Sequence, residues 1–228
     1  MRLHRFYVQQ PLGEAVHIDD RELVHQWSSV FRYTIGDSVL LFSLLSPRFD
    51  YEYEITDISK TSATLKQTRS FPNIVPKRPS ALYMAIVKKD TFETVVRQAT
   101  ELMITDIVPV LASRSEKKGL NFDRLLSIVT EAAEQCGRGS IPTIHPIISF
   151  EEASVLADET HVIFDRRGGS LAADIQKTVT AVWIGPEGGW TDDEIGVLTK
   201  KGVTTLSLGA VTLKADTAAI VGMSTVFL

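Results

Sequence analysis

The chain has 228 residues, of which 44% are hydrophobic, and this is enough to bury a sizeable core in one large domain or two modest ones. Its formal net charge of −4 argues against a protein that coats nucleic acid without regard to sequence, although it does not exclude a local basic face. A single cysteine, five scattered histidines, no apolar run of membrane-spanning length and a polar start predict a cytoplasmic protein without disulfides, metal sites or membrane segments.

Residues 1–71 have the pattern of a small β-rich domain. A short helix is predicted over residues 20–30, and Asp19 or Asp20 can cap it because an aspartate oxygen accepts hydrogen bonds from the first-turn amides. Closely spaced strands with one helix predict a small barrel, a module that often contacts nucleic acid but also serves many unrelated functions. The strand candidates are residues 39–42, 51–55 and 63–67.

A linker is predicted over residues 72–79, because three prolines within eight residues favour an extended chain. From residue 80 to residue 228, apolar runs of strand length alternate with helical patterns, which predicts an α/β domain with a parallel sheet and right-handed crossovers. The predicted helices are residues 90–102, 122–136 and 151–158, and the predicted strands are residues 81–87, 107–111, 144–148, 161–164, 181–184 and 204–208.

Two glycine-bearing loops, residues 184–190 and 208–218, follow the last two predicted strands and predict a ligand crevice at their carboxyl ends. The first loop matches neither a dinucleotide-binding nor a Walker pattern, and its one charge, on Glu187, would repel phosphate. A cationic or zwitterionic ligand such as S-adenosylmethionine fits better. Without the second loop, the first would more simply be a tight turn.

A polar cluster is predicted near the end of the helix over residues 122–136. Its members fall on neighbouring turns, and the simpler alternative is a solvated face with Gly137 as the C-cap. Cys136 has no assignable His or Asp partner, which favours a small buried residue over a nucleophile. The cluster consists of Glu131, Glu134, Gln135 and Arg138.

Basic residues are scattered along the chain. Scattered charges are typical of a solvated surface, and a basic face for RNA is the less common alternative. The residues concerned are Arg2, Arg5, Lys77, Arg78, Lys88, Lys89, Arg114, Lys117, Lys118, Arg124 and Arg138.

Taken together, residues 134–138 with Pro142, residues 184–189 with Glu194, and residues 208–218 resemble the ribosomal RNA small subunit methyltransferase E family of the SPOUT superfamily. Residues 5–6 and 30–37 resemble its N-terminal domain, so the resemblance covers essentially the whole chain. It implies a PUA-like RNA-binding β-barrel over residues 1–71, and a SPOUT methyltransferase domain with a deep trefoil knot over residues 80–228. The chain departs from the family at Lys214 and Asp216, where Arg and Glu are usual, and at Met103, where glycine is common.

The resemblance implies a homodimer that transfers a methyl group from S-adenosyl-L-methionine to N3 of a uridine in 16S ribosomal RNA, either free or in the assembled small subunit. The implied cofactor-binding residues are Phe164, Asp165, Ile184, Gly185, Pro186, Glu187, Gly188, Gly189, Ser207, Leu208, Gly209, Leu213, Thr217 and Ala218. The implied RNA-binding residues are Arg2, Arg5, Arg32, Lys88, Arg114 and Arg138.

Methyl transfer to N3 requires loss of the N3 proton and stabilisation of an anionic uracil. Arg138 and Lys214 are the candidates for stabilising that charge, and Glu187 or Asp216 for accepting the proton, although either carboxylate can instead hold an arginine in place. No metal is needed for this chemistry. The alternatives are another SPOUT-type RNA methyltransferase, such as a 2′-O-ribose enzyme, and a catalytically silent RNA-binding protein of the same fold.

Overall fold

We describe a computed structural model of the protein, covering residues 3–116, 119–170 and 178–228. Contacts divide the chain into two compact units. The N-terminal unit contains Met1–Val75 and Ala133–Ile141, and the C-terminal unit contains Pro76–Ala132 and Pro142–Leu228. The division between residues 75 and 76 falls inside the predicted linker, whereas the assignment of residues 133–141 to the first unit is not predicted by any sequence pattern.

The N-terminal unit is built on a five-stranded sheet with strand order β1-β3-β4-β5-β2. The β1–β3 pair is parallel, and the other neighbouring strands are antiparallel. A core with Trp27, Leu41 and Tyr53 at its centre fills one side of the sheet. The elements are β1 (Arg5–Tyr7), β2 (Ala15–Ile18), α1 (Arg21–His25), β3 (Ser38–Phe42), β4 (Phe49–Ile58) and β5 (Ala63–Pro72).

Asp20 caps α1, since its Oδ1 accepts hydrogen bonds from the amides of Glu22 and Leu23 at 3.0 and 3.1 Å. The predicted helix continues as a π-helical stretch, Gln26–Phe31, which ends at Arg32 in the left-handed region with φ 57°. The π-helical winding is not predicted, because the apolar spacing differs little between the two helix types.

The C-terminal unit is built on a parallel sheet with strand order β12-β10-β11-β6-β7-β8, and β9 also pairs with β7. Its core contains Trp183, which stacks on Tyr83 with ring centroids 4.2 Å apart. The elements are β6 (Ala81–Ala85), α2 (Lys89–Glu101), β7 (Asp106–Leu111), α3 (Phe122–Cys136), β8 (Thr143–Ile144), β9 (Ile148–Ser149), α4 (Phe150–Val155), β10 (His161–Gly169), β11 (Ala181–Ile184), α5 (Asp192–Lys200), β12 (Thr204–Leu206) and α6 (Ala215–Phe227).

Met103 follows α2 with φ 65°. A residue other than glycine is strained in this region of backbone space. In the part of the chain that the structure describes, no helix combines the length and the apolar character needed to cross a membrane.

Residues 133–141, which include the last turn of α3, are joined to the N-terminal unit by hydrogen bonds to its side chains and backbone. The carbonyl oxygen of Ala133 accepts a hydrogen bond from Arg5 at 2.9 Å, and Glu134 accepts one from the amide of Tyr7 at 2.9 Å. The amide of Gly139 donates to the carbonyl of Ile74. The first unit is therefore assembled from two separated pieces of sequence.

Candidate functional site

A cavity of about 400 Å³ opens beside the second half of β10 and the ends of β11 and β12, three strands that are neighbours in the sheet. Loops at the carboxyl ends of parallel strands commonly form ligand sites. The lining residues are Arg114, Phe164, Asp165, Arg166, Arg167, Ile184, Gly185, Pro186, Glu187, Gly188, Gly189, Trp190, Asp192, Ser207, Leu208, Gly209, Val211, Thr212, Leu213, Ala215 and Ala218. All of them belong to the C-terminal unit.

The first loop of the cavity has a fixed shape. The amide of Gly189 donates to the carbonyl of Pro186 at 2.8 Å, and Gly189 has φ 68°, a conformation that favours glycine. A Cβ at Gly185 would lie 2.9 Å from Nε1 of Trp190, so the close approach of backbone and indole requires glycine at that position. The loop is therefore preorganised rather than flexible.

The second loop is held against β10. The amide of Ser207 donates to the carbonyl of Gly169 at 2.8 Å, and the hydroxyl of Ser207 contacts the backbone of Gly209, which has φ 132°. A Cβ at Gly168 would lie 2.4 Å from the carbonyl carbon of Leu206. Glycine at position 168 thus allows β12 to approach β10 and brings Ser207 to the wall of the cavity.

Two consecutive arginines at the end of β10 connect this strand to the other walls. Arg166 donates to the hydroxyl of Thr212 at 3.1 Å. The guanidinium of Arg167 donates two hydrogen bonds to Asp165, at 2.7 and 3.0 Å, and it also contacts Asp192 and the carbonyl of Trp190. Partial burial raises the pKa of Asp165, but the hydrogen bonds and charge of Arg167 outweigh it and hold that pKa below its usual value.

Glu194, which is buried at 4% exposure, connects α5 to the loop after β7. Its carboxylate accepts hydrogen bonds from the amide of Ser113 at 2.8 Å and from the amide of Thr191 at 2.7 Å. The next residue, Arg114, donates to the carbonyl of Gly188 at 2.7 Å. The buried carboxylate therefore holds the backbone at Ser113 and at Thr191, and the bond to Ser113 positions the next residue, Arg114, beside the first loop.

Of the residues predicted to bind the cofactor, all but Thr217 line the cavity. Trp190, Val211, Thr212 and Ala215 also line the cavity, and all four lie within the two predicted loops. Arg166, Arg167 and Asp192 line the cavity but were not predicted to do so. For the two arginines the available signal was a run of charged residues directly after a buried strand. Arg114 was predicted to bind RNA, and it also contributes to this cavity.

Among the predicted catalytic residues, only Glu187 lines the cavity, and its side chain is exposed there. Lys214 is exposed at the N-cap of α6, outside the cavity lining. Asp216 accepts a hydrogen bond from the amide of Thr217 at 2.8 Å in the first turn of the same helix.

Arg138 lies in the N-terminal unit with 1% of its surface exposed. Its guanidinium donates to the hydroxyl of Ser140 at 3.1 Å, and burial lowers its pKa to about 10, so it remains charged at neutral pH. The simpler interpretation of the polar cluster as a solvated face describes Glu131 and Gln135, which are exposed. It does not describe Arg138, which is buried, or Glu134, which accepts a hydrogen bond from the amide of Tyr7. Cys136 is exposed, which corrects its prediction as a buried residue.

The predicted RNA-binding residues differ in accessibility. Arg5 is an interior residue whose guanidinium makes an ion pair with Asp50 at 2.6 Å and stacks 3.5 Å above the ring of Phe42. With 7% of its side-chain surface exposed, Arg5 offers little area to RNA, and this geometry favours a structural role. Arg32 and Lys88 are exposed. Arg2, Lys117 and Lys118 lie outside the described residues.

Metal-ligating side chains do not gather into groups in the described ranges: no three or more His, Cys, Asp or Glu there are arranged to hold an ion.

Comparison with known proteins identifies the family. The family model of an RNA methyltransferase domain matches residues 75–227. The chain is 32% identical over 212 residues to the ribosomal RNA small subunit methyltransferase E of a Synechocystis species, covering 88% of this chain and 69% of that protein. It is 27% identical over 235 residues to the protein of that name from Rickettsia conorii, covering 99% and 96%.

The fold is also shared with a solved structure. The crystal structure of a ribosomal RNA small subunit methyltransferase E from Neisseria gonorrhoeae, bound to S-adenosyl methionine, matches with a TM-score of 0.85 at 24% identity, covering 98% of this chain and 96% of that one. The chain belongs to the ribosomal RNA small subunit methyltransferase E family.

Proposed function

We propose that the protein is an S-adenosylmethionine-dependent methyltransferase that methylates N3 of a uridine in 16S ribosomal RNA. The observation that carries the proposal is the cavity at the ends of β10, β11 and β12, whose lining includes the exposed Glu187. Curated relatives are named ribosomal RNA small subunit methyltransferase E, and the related structure from Neisseria gonorrhoeae holds S-adenosyl methionine.

The cavity suits this cofactor. Its volume lies within the range of small-molecule sites, and Ile184, Leu208, Val211 and Leu213 provide apolar surface for an adenine ring. The glycines of both loops expose backbone amides and carbonyls for polar groups. Among the charged residues of the lining, Arg167 is paired with Asp165 and Asp192, so Glu187 is the carboxylate left to face a sulfonium cation.

When bound, the cofactor supplies an electrophilic methyl group on a positively charged sulfur. The residues of the protein must position the uridine, accept its N3 proton and stabilise the charge that develops on the ring. Of the two predicted proton acceptors we favour Glu187 over Asp216, because Asp216 is engaged by the amide of Thr217. Burial of Arg138 favours a structural role for this residue over a direct contact with the base, unlike the exposed Lys214.

The finer architectural and cellular features are part of the same proposal. The five-stranded sheet of the N-terminal unit is compatible with a PUA-like RNA-binding barrel, and the parallel sheet of the C-terminal unit with a SPOUT domain that carries a deep trefoil knot. We further propose that the protein acts as a homodimer in the cytoplasm, on ribosomal RNA or on the small subunit.

Two measurements test the function. Isothermal titration of the folded protein with S-adenosylmethionine is expected to show binding, and absence of binding would remove the enzymatic proposal in favour of a silent RNA-binding protein. Mass mapping of methylated nucleosides in 16S RNA, from cells with and without the gene, is expected to show loss of N3-methyluridine. Loss of a 2′-O-methylnucleoside instead would assign the protein to a different reaction.

A further inference from the structure

We propose that a second depression, lined by Lys88, Arg114, Ser115, Glu116, Glu187 and Gly188, receives the uracil ring of the substrate nucleotide. This inference rests on the proposed function, because it names where the acceptor base of that reaction lies. The depression shares Arg114, Glu187 and Gly188 with the cofactor cavity, so the two spaces meet at these residues. A base in one space is therefore adjacent to a methyl donor in the other.

The depression, hereafter the uracil subsite, contains two cations and two carboxylates. In the described part of the chain, no hydrogen bond or ion pair involves the side chains of Lys88, Glu116 and Glu187. Nη1 of Arg114 donates a hydrogen bond to the carbonyl of Gly188. The neighbouring Lys89 differs, since it makes an ion pair with Glu93 at 3.7 Å. The charges of the subsite are thus available to a ligand.

These groups complement the pairing edge of uracil. That edge presents an acceptor, a donor and an acceptor, which are O2, N3–H and O4. A carboxylate can accept from N3–H, while lysine and arginine donate to the two oxygens. Cytosine presents an acceptor at N3, which a carboxylate would repel. Enzymes that modify a base commonly take it out of the stack and hold it by hydrogen bonds to this edge.

The loop that carries Arg114 is held before any ligand arrives. The hydroxyl of Ser115 accepts a hydrogen bond from the amide of Ala112 at 3.0 Å, and the amide of Glu116 donates to the carbonyl of Ile86 at 2.9 Å. Together with the bond between Ser113 and the buried Glu194, these contacts fix the backbone on both sides of Arg114. Preorganised charge is what stabilises a developing anion most effectively.

The reaction balances with these residues. N3 of uridine gives its proton to the carboxylate of Glu187, and the electron pair of N3 forms the new bond to the methyl carbon. The carbon–sulfur bond breaks, and its electrons stay on sulfur, which becomes neutral. The negative charge passing through O2 and O4 is stabilised by Lys88 and Arg114. The protonated Glu187 afterwards releases its proton to water.

The test uses the full-length protein, small ribosomal subunits from cells lacking the gene, and radiolabelled S-adenosylmethionine in single-turnover reactions. Lys88→Ala is expected to slow transfer roughly tenfold, since it removes one hydrogen bond to a charged group, and the matched Lys89→Ala to change it less than about twofold. Glu187→Gln is expected to slow transfer at least about a hundredfold, as loss of a general base does. Alkaline buffer should partly restore its rate by ionising N3 directly.

Binding of S-adenosylhomocysteine, which lacks the sulfonium charge, provides the control for the cofactor cavity. Its affinity should be the same for Lys88→Ala and the unaltered protein. Glu187 also lines the cofactor cavity, so Glu187→Gln is compared with the unaltered protein at saturating S-adenosylmethionine. Equal transfer rates for Lys88→Ala and Lys89→Ala would overturn the uracil subsite. So would a Glu187→Gln variant that loses no rate, or one whose lost rate is not recovered in alkaline buffer. Each of these results would leave the proposed function intact. Failure of the unaltered protein to methylate N3 would overturn the proposed function and the subsite with it.

Discussion

Five charged residues that were predicted to bind RNA or to act in catalysis occupy contrasting environments in the two units. In the N-terminal unit, Arg5 and Arg138 are interior and bonded to protein groups. In the C-terminal unit, Lys88, Arg114 and Glu187 are exposed on the walls of two adjoining spaces. A charged residue predicted to be functional can therefore either stabilise the fold or be available to a ligand. Its burial and its hydrogen-bond partners distinguish the two cases.

The largest expected effect tests the structural side of this comparison. Arg5→Ala leaves the carboxylate of Asp50 with 14% exposure and no counterion, so the free energy of unfolding should fall by about 3–5 kcal/mol. Urea denaturation measures this loss. Arg21→Ala, at an exposed arginine, should change it by less than about 0.5 kcal/mol. A small effect of Arg5→Ala, with lost RNA affinity, would return Arg5 to the RNA-binding residues.

A glycine pair tests the cavity side. Gly168→Ala places a Cβ 2.4 Å from the backbone of Leu206, so β12 must move. We expect a loss of about 1–3 kcal/mol in unfolding free energy together with a marked loss of S-adenosylmethionine affinity. Gly169→Ala is the matched control, because none of the described residues lies within 4 Å of its Cβ. Equal affinities for the two variants would show that the second loop does not depend on this close approach.

Glu194→Ala tests whether a buried charge of the C-terminal unit serves the cavity. The amides of Ser113 and Thr191 lose their acceptor, which should cost about 1–3 kcal/mol and displace Arg114. Glu152 is a matched control, since it occupies the same capping-box position on α4. Calorimetry should show weaker S-adenosylmethionine binding for Glu194→Ala than for Glu152→Ala, and equal binding would limit Glu194 to helix capping.

The smallest effect concerns pH. Burial lowers the pKa of His161, and its Nδ1 accepts a hydrogen bond from the indole of Trp183 at 3.2 Å. The nearby Asp158 carboxylate, 3.9 Å from Nε2, opposes this shift without cancelling it. As the pH falls, His161 is protonated in the unfolded chain at a higher pH than in the folded protein. Stability should therefore fall as the pH drops from the ordinary histidine pKa of about 6.5 towards the lowered pKa of the folded state.

Urea midpoints measured from neutral to acidic pH check this prediction against His161→Gln, which cannot titrate. The unaltered protein should lose more stability than the variant over that interval. Parallel curves would show that other groups determine the acid sensitivity of the C-terminal unit.

Much of the C-terminal unit follows from sequence, because its strands are buried on both faces and read as apolar runs such as residues 181–184. The second half of β10 was missed, since its Asp165, Arg166 and Arg167 conceal a strand that borders a cavity. The two glycine loops were predicted to lie together, and they do.

The location of residues 133–141 could not be predicted. Local patterns identify the helix over residues 122–136, but they contain no information about which distant backbone its last turn will bond. The burial of Arg138 has the same origin, since its surroundings come from residues far away in sequence. The family resemblance identified residues 134–138 as a motif, but it did not predict that Arg138 is buried.

The two-piece construction of the N-terminal unit has a consequence for biosynthesis. When Val75 has been added, the amide of Tyr7 and the carbonyl of Ile74 still lack Glu134 and Gly139, which lie as many as 64 residues further along the chain. At typical synthesis rates of about 5–20 residues per second, the first unit waits roughly 3–13 s for its missing piece. During that interval the nascent N-terminal segment exposes backbone groups that native contacts later cover. These exposed groups are a target for a chaperone during synthesis.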